Sequence, residues 1–166
     1  MSHPSLEQPF VNGTVETKFG RMPRVPSQLT VADRWGSVKA RLGIGRMNFT
    51  VDPGLYALGN PTPESPALVT ANYKMSFDRL KSALPERDAW IIVLDTKGIN
   101  VWCAAGKGTF GTDEVASRIK SCELEKIVSH RRVILPQLAG PGITAYRLSD
   151  SCGFKAVYGP IRAEDI

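Results

Sequence analysis

At 166 residues, 42% of them apolar, the chain is long enough to enclose one core and too short for two comfortable domains. Its net charge is +5, and its three cysteines, an odd number without a C-x-x-C pair, exclude a disulfide framework or a four-cysteine zinc or iron–sulfur site built from this chain alone. Two histidines, His3 and His130, argue against a multi-histidine metal site, and the absence of both a long apolar run and a secretory leader in MSHPSLEQPF predicts a soluble, cytoplasmic protein.

Residues 1–28 carry Pro4, Pro9, Pro23 and Pro26 with little periodicity and read as a flexible, extended N-terminal arm. Residues 29–166 read as a single α/β domain. Thr30 can cap a helix whose apolar positions Val31, Trp35, Val38 and Leu42 recur at helical spacing, ended by Gly43 and Gly45. Two short strands are expected at Met47–Val51 and Leu55–Leu58 around the turn Asp52-Pro53-Gly54, followed by a stiff proline loop at Gly59–Pro66. Ala67–Thr70 reads as a short apolar strand, Ser76 as the cap of a helix to about Leu84, and Ala89–Leu94 as a strand buried on both faces. After the turn Asp95–Gly98, Ile99–Ala105 looks extended. Thr112 is expected to cap a helix through about Ile127, with Asp113 and Glu114 in its first turn. A strand at Arg132–Leu135, a tight loop at Gly140–Gly142, a helix at Ile143–Ser149 and a strand at Phe154–Tyr158 complete the pattern. Such alternation indicates a layered, Rossmann-like α/β fold with a largely parallel sheet flanked by helices. Its ligands would gather at strand ends, after Thr70, Ala105, Leu135 and Tyr158.

The positive charge is concentrated. Lys18, Arg21, Arg24, Arg34, Lys39, Arg41 and Arg46 face the single acid Asp33 between residues 17 and 48. That stretch suits a solvated face, or an acidic protein or anionic surface as partner. No basic and aromatic interleaving, helix-turn-helix or zinc-finger pattern points to nucleic acid.

The segment NVWCAAGKGTFG, Asn100–Gly111, places Cys103 ahead of a glycine run that fits G-x-G-x-x-G at Gly106, Gly108 and Gly111. The dinucleotide fingerprint also needs an acid at the end of the following strand, where this chain has Leu135, Pro136 and Gln137. A Walker loop fails because Val101 stands where its first glycine belongs. A cysteine nucleophile needs a base, for which His130 is the one candidate, and a lone cysteine between Trp102 and Ala104 also fits a small core residue.

Asn100-Val101-Trp102-Cys103-Ala104-Ala105-Gly106-Lys107 resembles the cap-helix motif of the mercury-methylation corrinoid proteins. Gly54–Leu80 and Val133–Gly142 are similar to that family too and, more loosely, to the cobalamin-binding domain of the acetogens' corrinoid iron–sulfur protein. The resemblance implies a corrinoid-dependent methyltransferase that binds cobalamin base-off, with the Cys103 thiolate as lower axial cobalt ligand, and passes a methyl group to Hg(II). It implies contacts from Asn100, Val101, Trp102, Ala104, Ala105, Gly106 and Lys107, with Thr70, Asn72, Gln137, Gly140 and Gly142 on neighbouring strand-end loops. A soft thiolate suits a soft metal and donates strongly through it to the opposite face. The implied partners are a ferredoxin-like electron donor with two [4Fe–4S] clusters, which the basic stretch could meet, and a methyl donor of the methyltetrahydrofolate type. Members of that family continue into a C-terminal bundle of membrane helices, absent here after Ile166, which would hold the full-length protein at the cytoplasmic face of the inner membrane. A methyl carrier of the acetogenic type, or a dinucleotide-binding or cysteine-nucleophile enzyme, is the alternative.

Overall fold

The computed structural model describes residues 3–45, 48–160 and 162–166, with the Ala163 side chain left aside. Seven strands form one sheet in the order β1-β2-β3-β5-β4-β6-β7. They are β1 (Thr14–Thr17), β2 (Gly20–Val25), β3 (Gly54–Leu58), β4 (Ala67–Ala71), β5 (Ala89–Leu94), β6 (Arg132–Leu135) and β7 (Lys155–Tyr158). β5, β4, β6 and β7 run parallel, β3 is antiparallel to β5, and the β1–β2 hairpin adds to β3 through the parallel pairs Arg24↔Ala57 and Val25↔Leu58. This is the layered α/β architecture expected from the alternation of elements. Its central strands β3, β4 and β5 are buried at every position, as continuous apolar runs in a sheet covered on both sides should be.

The helices divide unequally. One face of the sheet, through Val69, Ala71, Ile92, Leu94, Val133 and Leu135, packs on α3 (Val101–Lys107), α4 (Thr112–Ser121), α5 (Leu124–Ile127), the 3-10 turn Gln137–Gly142 and α6 (Ala145–Cys152). The other face, through Tyr56, Leu58, Leu68, Ile91 and Val93, packs on α2 (Lys74–Ser82) and on Phe10 from the N-terminal segment. β7 forms a free edge of the sheet: it pairs with β6 on one side, and Val157 and Tyr158 are partly exposed.

Several elements differ from expectation. The stretch expected to be a flexible arm forms β1 and β2, and buries Phe10 and Pro4, the latter against Gly54. Pro23 faces Thr14 across the β1–β2 hairpin and lies outside the pairs Arg24–Ala57 and Val25–Leu58 that join β2 to β3. Met47 and Arg46 lie outside the described residues, and Asn48–Val51 makes only an isolated bridge, Thr50 to Tyr73. Helix α2 starts at Lys74 rather than after Ser76. The helix expected from Thr112 to Ile127 breaks at Glu123, whose φ of 49° turns the chain between α4 and α5. The 3-10 turn Gln137–Gly142 takes in the expected Gly140–Gly142 loop, and the next helix starts at Ala145 rather than Ile143.

The helix α1 (Val31–Arg41) forms as expected, with a reciprocal cap in which Asp33 N–H donates to Thr30 Oγ1 and Thr30 N–H to Asp33 Oδ2. Its apolar stripe faces solvent, however, with Val31, Trp35 and Leu42 at 80, 62 and 72% exposure. What α1 buries is Asp33 and Ala40. Lys74 Nζ bridges Asp33 Oδ1 at 2.7 Å and Asp78 Oδ1 at 2.6 Å, and Lys81 Nζ stands 3.7 Å from both carboxylates, fully buried and without a hydrogen-bond partner among the described residues. Burial tends to raise Asp33, but the Lys74 hydrogen bond and the Thr30 amide outweigh it and hold that carboxyl below its ordinary value. At Asp78 burial prevails and the carboxyl rises; at Lys81 burial lowers the ammonium. Removing the central cation of such a buried group leaves two carboxylates facing each other. Lys74→Met should therefore lower unfolding free energy by about 3 to 5 kcal/mol in denaturant titration. Lys81→Met, which deletes a group holding no hydrogen bond, should cost distinctly less.

Candidate functional site

The connections from β5 to β6 and from β6 to β7 carry α3 to α6, and all four pack on the same face of the sheet. Among the helices, α2 covers the opposite face; beside it, over β6, none of α3 to α6 lies, and the C-terminal segment approaches through Ile166. A cleft of about 640 Å³ occupies that space. Leu68, Thr70 and Ile134 line it from the sheet, Ser76 and Arg79 from α2, and Arg162 from the C-terminal segment. At the carboxyl ends of the parallel strands it is rimmed by Asn100, Val101 and Trp102 on one side and Pro136, Gln137 and Leu138 on another. Open α/β sheets generally take their ligands at this end.

Residues 101–105 are helical rather than extended. Asn100 Oδ1 accepts the Cys103 N–H at 3.0 Å, an N-cap that a reading by apolar runs alone does not register. The short helix α3 buries Ala104 and Ala105 against the core and the 3-10 turn. Its other side is open. Trp102 is 67% exposed, Cys103 is half-buried, Lys107 is exposed, and a Cβ built on Gly106 would meet nothing within 4 Å. The helix therefore presents a thiol, an indole and a residue without a side chain around one uncovered surface; Asn100, Val101 and Trp102 reach the rim of the cleft, whereas Cys103 and Gly106 do not line it.

The remaining expected residues separate. Thr70 and Gln137 line the cleft. Gly140 has open space around it, whereas a Cβ on Gly142 would collide with the Phe110 carbonyl oxygen and press on Ala105, so Gly142 serves the packing of α3. Asn72 is buried, and its Oδ1 is taken up within the fold by Thr96 and Gly98. Arg79, Ser76, Leu138 and Arg162 line the cleft although the sequence does not mark them. Polar residues on an amphipathic helix or in a terminal segment carry no signal that separates a cleft wall from ordinary surface.

The dinucleotide-binding and cysteine-nucleophile alternatives fare worse. Gly108 is the left-handed C-cap of α3, at φ 80°, and Gly111 the N-cap of α4, so the glycine run joins two helices rather than a strand to a helix. His130 bonds Ser65 O at 2.9 Å and lies just before β6, at the amino ends of the parallel strands, while Cys103 lies at their carboxyl ends; the structure does not bring the two together. Among the described residues no three His, Cys, Asp or Glu side chains cluster as metal ligands, and no helix is long and apolar enough to cross a membrane.

A family model for the CO dehydrogenase/acetyl-CoA synthase delta subunit matches residues 45–166. The gamma subunit of the acetyl-CoA decarbonylase/synthase complex of Archaeoglobus fulgidus is 31% identical over 118 residues, 70% of this chain and 25% of that protein. The Methanocaldococcus jannaschii gamma subunit is 33% identical over 112 residues, 66% of this chain and 22% of that protein. The chain thus spans about a quarter of the length of the curated relatives it matches. These matches overturn the assignment to the mercury-methylation family, and the expectation of methyl transfer to Hg(II) falls with it. That assignment rests on Asn100–Lys107, Gly54–Leu80 and Val133–Gly142, whereas the family match extends continuously over the sheet from β3 to β7.

The thiols should be chemically distinct. Burial pushes Cys122 up to about 11, so at pH 8 only about one molecule in a thousand carries its thiolate. Cys152 is half-buried, also raised by burial, and its S–H donates to Leu148 O. Titration of the native protein with a disulfide reagent at pH 8 should show one fast thiol, absent in Cys103→Ser, and no reaction at Cys122 before unfolding.

Proposed function

The chain belongs to the family of the CO dehydrogenase/acetyl-CoA synthase delta subunit, and from that footing we propose that it is a corrinoid-binding methyl-carrier domain. In this reading it works within a larger assembly of the acetyl-CoA decarbonylase/synthase kind, the complex to which its relatives' names refer. One observation carries the proposal: a half-buried thiol on a capped helix, flanked by an exposed indole and by open space over Gly106, the first residues of that helix rimming a cleft at the carboxyl ends of the strands.

The residues present fit such a cofactor. Over α3 the uncovered strip of Trp102, Cys103 and Gly106 leaves a flat macrocycle free to approach the backbone, as glycine allows where a ligand comes close. The cleft, with Thr70, Gln137 and Arg79 along it, provides hydroxyl, amide and guanidinium groups for the amide-rich periphery and tail of a corrinoid. When bound, the corrinoid supplies a cobalt centre that takes up a methyl group and releases it.

The contributions of this chain's own residues follow. Cys103 must lose its proton to bind a metal, and its thiolate, a soft and strongly donating ligand, would hold the cobalt. Asn100 holds the backbone of Cys103 by its cap, which limits the positions its sulfur can reach. Ala104 and Ala105 anchor the buried side of the helix. Trp102 and Lys107 flank the open surface, one as a broad apolar plane and the other as a mobile cation.

A chain with three cysteines and no cluster of its own needs an outside source of electrons to keep cobalt reduced. We assign that contact to α1, where an exposed apolar stripe runs between Arg34 and Arg41 on one side and Lys39 on the other. A cationic rim around an apolar centre complements an acidic iron–sulfur protein and would repel a second copy of this chain. This helix precedes the residues matched by the family.

The experiment is anaerobic mixing of the purified domain with hydroxocobalamin. The expected result is a base-off absorption spectrum that depends on Cys103, with Cys103→Ala binding weaker by at least the roughly 10- to 100-fold that changes around metal ligands cost. A spectrum identical in Cys103→Ala would rule out the thiolate ligand, and no binding at all would rule out the corrinoid reading. In a second measurement, reversing Arg34, Lys39 and Arg41 to Glu should slow cobalt reduction by an acidic two-cluster ferredoxin by about 10-fold or more at low salt, and leave cobalamin binding unaltered.

A further inference from the structure

The turn Asp95–Asn100 joins β5 to the thiol-bearing helix, and it is held from outside by two side chains. Parallel pairing of β4 with β5 sets Ala71 beside Leu94, so the residue that follows β4, Asn72, comes level with the start of this turn. Asn72 Oδ1 accepts the Gly98 N–H at 2.9 Å and the Thr96 N–H at 3.1 Å, the latter shared with Leu94 O. From the other side Glu114 Oε1 on α4 accepts the Asp95 N–H at 2.9 Å while pairing with Arg118. Between these two clamps the chain takes the left-handed conformation twice in succession, at Lys97 (φ 57°) and Gly98 (φ 71°). For Lys97, which has a Cβ, that conformation is unfavourable by itself and needs external support.

Thr96 passes the constraint on. Its hydroxyl lies 2.7 Å from Ile99 O and 2.9 Å from Asn72 Oδ1; with a single hydrogen it donates to one at a time, and the shorter contact fixes the residue before the cap. Ile99 N–H returns to Thr96 O, and Asn100 then caps α3 by accepting Cys103 N–H. A connected series of hydrogen bonds thus runs from the end of β4 to the backbone of Cys103. Asn72 is buried and does not line the cleft, so nothing in its surroundings suits it to touch a ligand.

We infer that Asn72 is a positioning residue for Cys103: its side-chain oxygen, by holding the Thr96–Gly98 turn, determines where the thiol-bearing helix begins. The inference rests on the corrinoid reading only for what the thiol meets; the positioning belongs to the free protein. Because both backbone donors need nothing but an acceptor, the role demands an oxygen and not an amide. Asn72→Asp keeps that oxygen, and Asn72→Leu removes it with the same branching at a larger volume.

The test is backbone amide exchange of the cofactor-free protein over residues 95–104, together with the rate at which a thiol reagent modifies Cys103, followed by mass spectrometry. In Asn72→Leu, exchange over this segment and modification of Cys103 should both accelerate about tenfold, the equivalent of one buried hydrogen bond, while Asn72→Asp keeps both within about twofold of the wild-type rates. Hydroxocobalamin titration should then show the Cys103-dependent spectral change weakened about tenfold in Asn72→Leu and preserved in Asn72→Asp. Wild-type rates in folded Asn72→Leu would overturn the inference, as would an Asn72→Asp variant as perturbed as the leucine one. Should Asn72→Leu fail to fold, Thr96→Val reads the same series at its next link: a rise in Cys103 modification of about threefold or more supports it, and an unchanged rate overturns it. If the wild-type protein ignores hydroxocobalamin, the corrinoid reading fails while the exchange and thiol results still decide the role of Asn72.

Discussion

The parallel register of β4 and β5 is the constraint on which the carboxyl end of this protein depends. It brings two strand ends level, so that a side chain from one can hold the turn leaving the other. The turn must be held because it contains two consecutive left-handed residues and opens a helix of only seven residues. A helix so short is not stable by itself. Its position comes from the Asn100 cap, from two alanines packed against the 3-10 turn, and from the close approach that Gly142 permits. The thiol is thus carried on a frame built from side-chain acceptors that hold backbone N–H groups and from small residues.

The cleft has a different origin, in the routing of the chain. Both connections that follow β5 cross the same face of the sheet, which leaves the other face beyond α2 without any of α3 to α6. The two features meet because α3 starts at the same strand ends that bound the cleft. The helix that bears Cys103 and a concave surface therefore adjoin without either being shaped for the other by long loops, which agrees with the general siting of ligands in open α/β sheets.

Much of this is legible in the residues. The strands β3 to β7 follow the apolar pattern, α1 its cap, and α2 is legible as a helix though it begins ahead of the expected Ser76 cap; Cys103 stands out through its neighbours. The hairpin β1–β2 is not legible, because four prolines mask alternation and only the tertiary pairing shows that Pro23 lies outside the pairs that join β2 to β3. Helix α3 escapes notice since Ile99-Asn100-Val101-Trp102 reads as extended until Asn100 is seen to cap. The most instructive case is α1 and α2. Periodicity marks the apolar stripe of α1 as the face to bury, yet tertiary structure buries Asp33 instead, against Lys74, Asp78 and Lys81. Charges compensated in three dimensions leave no trace in a hydropathy pattern. Family membership misleads in a different way: Asn100–Lys107, Gly54–Leu80 and Val133–Gly142 resemble one group, while the family model that matches residues 45–166 belongs to another.

The free rim at β7 has a consequence for how the molecule behaves in company. A sheet that ends in an open strand offers backbone donors and acceptors to any extended peptide nearby, the usual route to unwanted stacking. Here a visiting chain would find only four residues to pair with, entered past the left-handed Gly153, opened by the cationic Lys155 and closed by Pro160 two residues after Tyr158. Brevity, charge and a missing donor make that border a poor template, so the molecule can expose a sheet edge without recruiting its own kind.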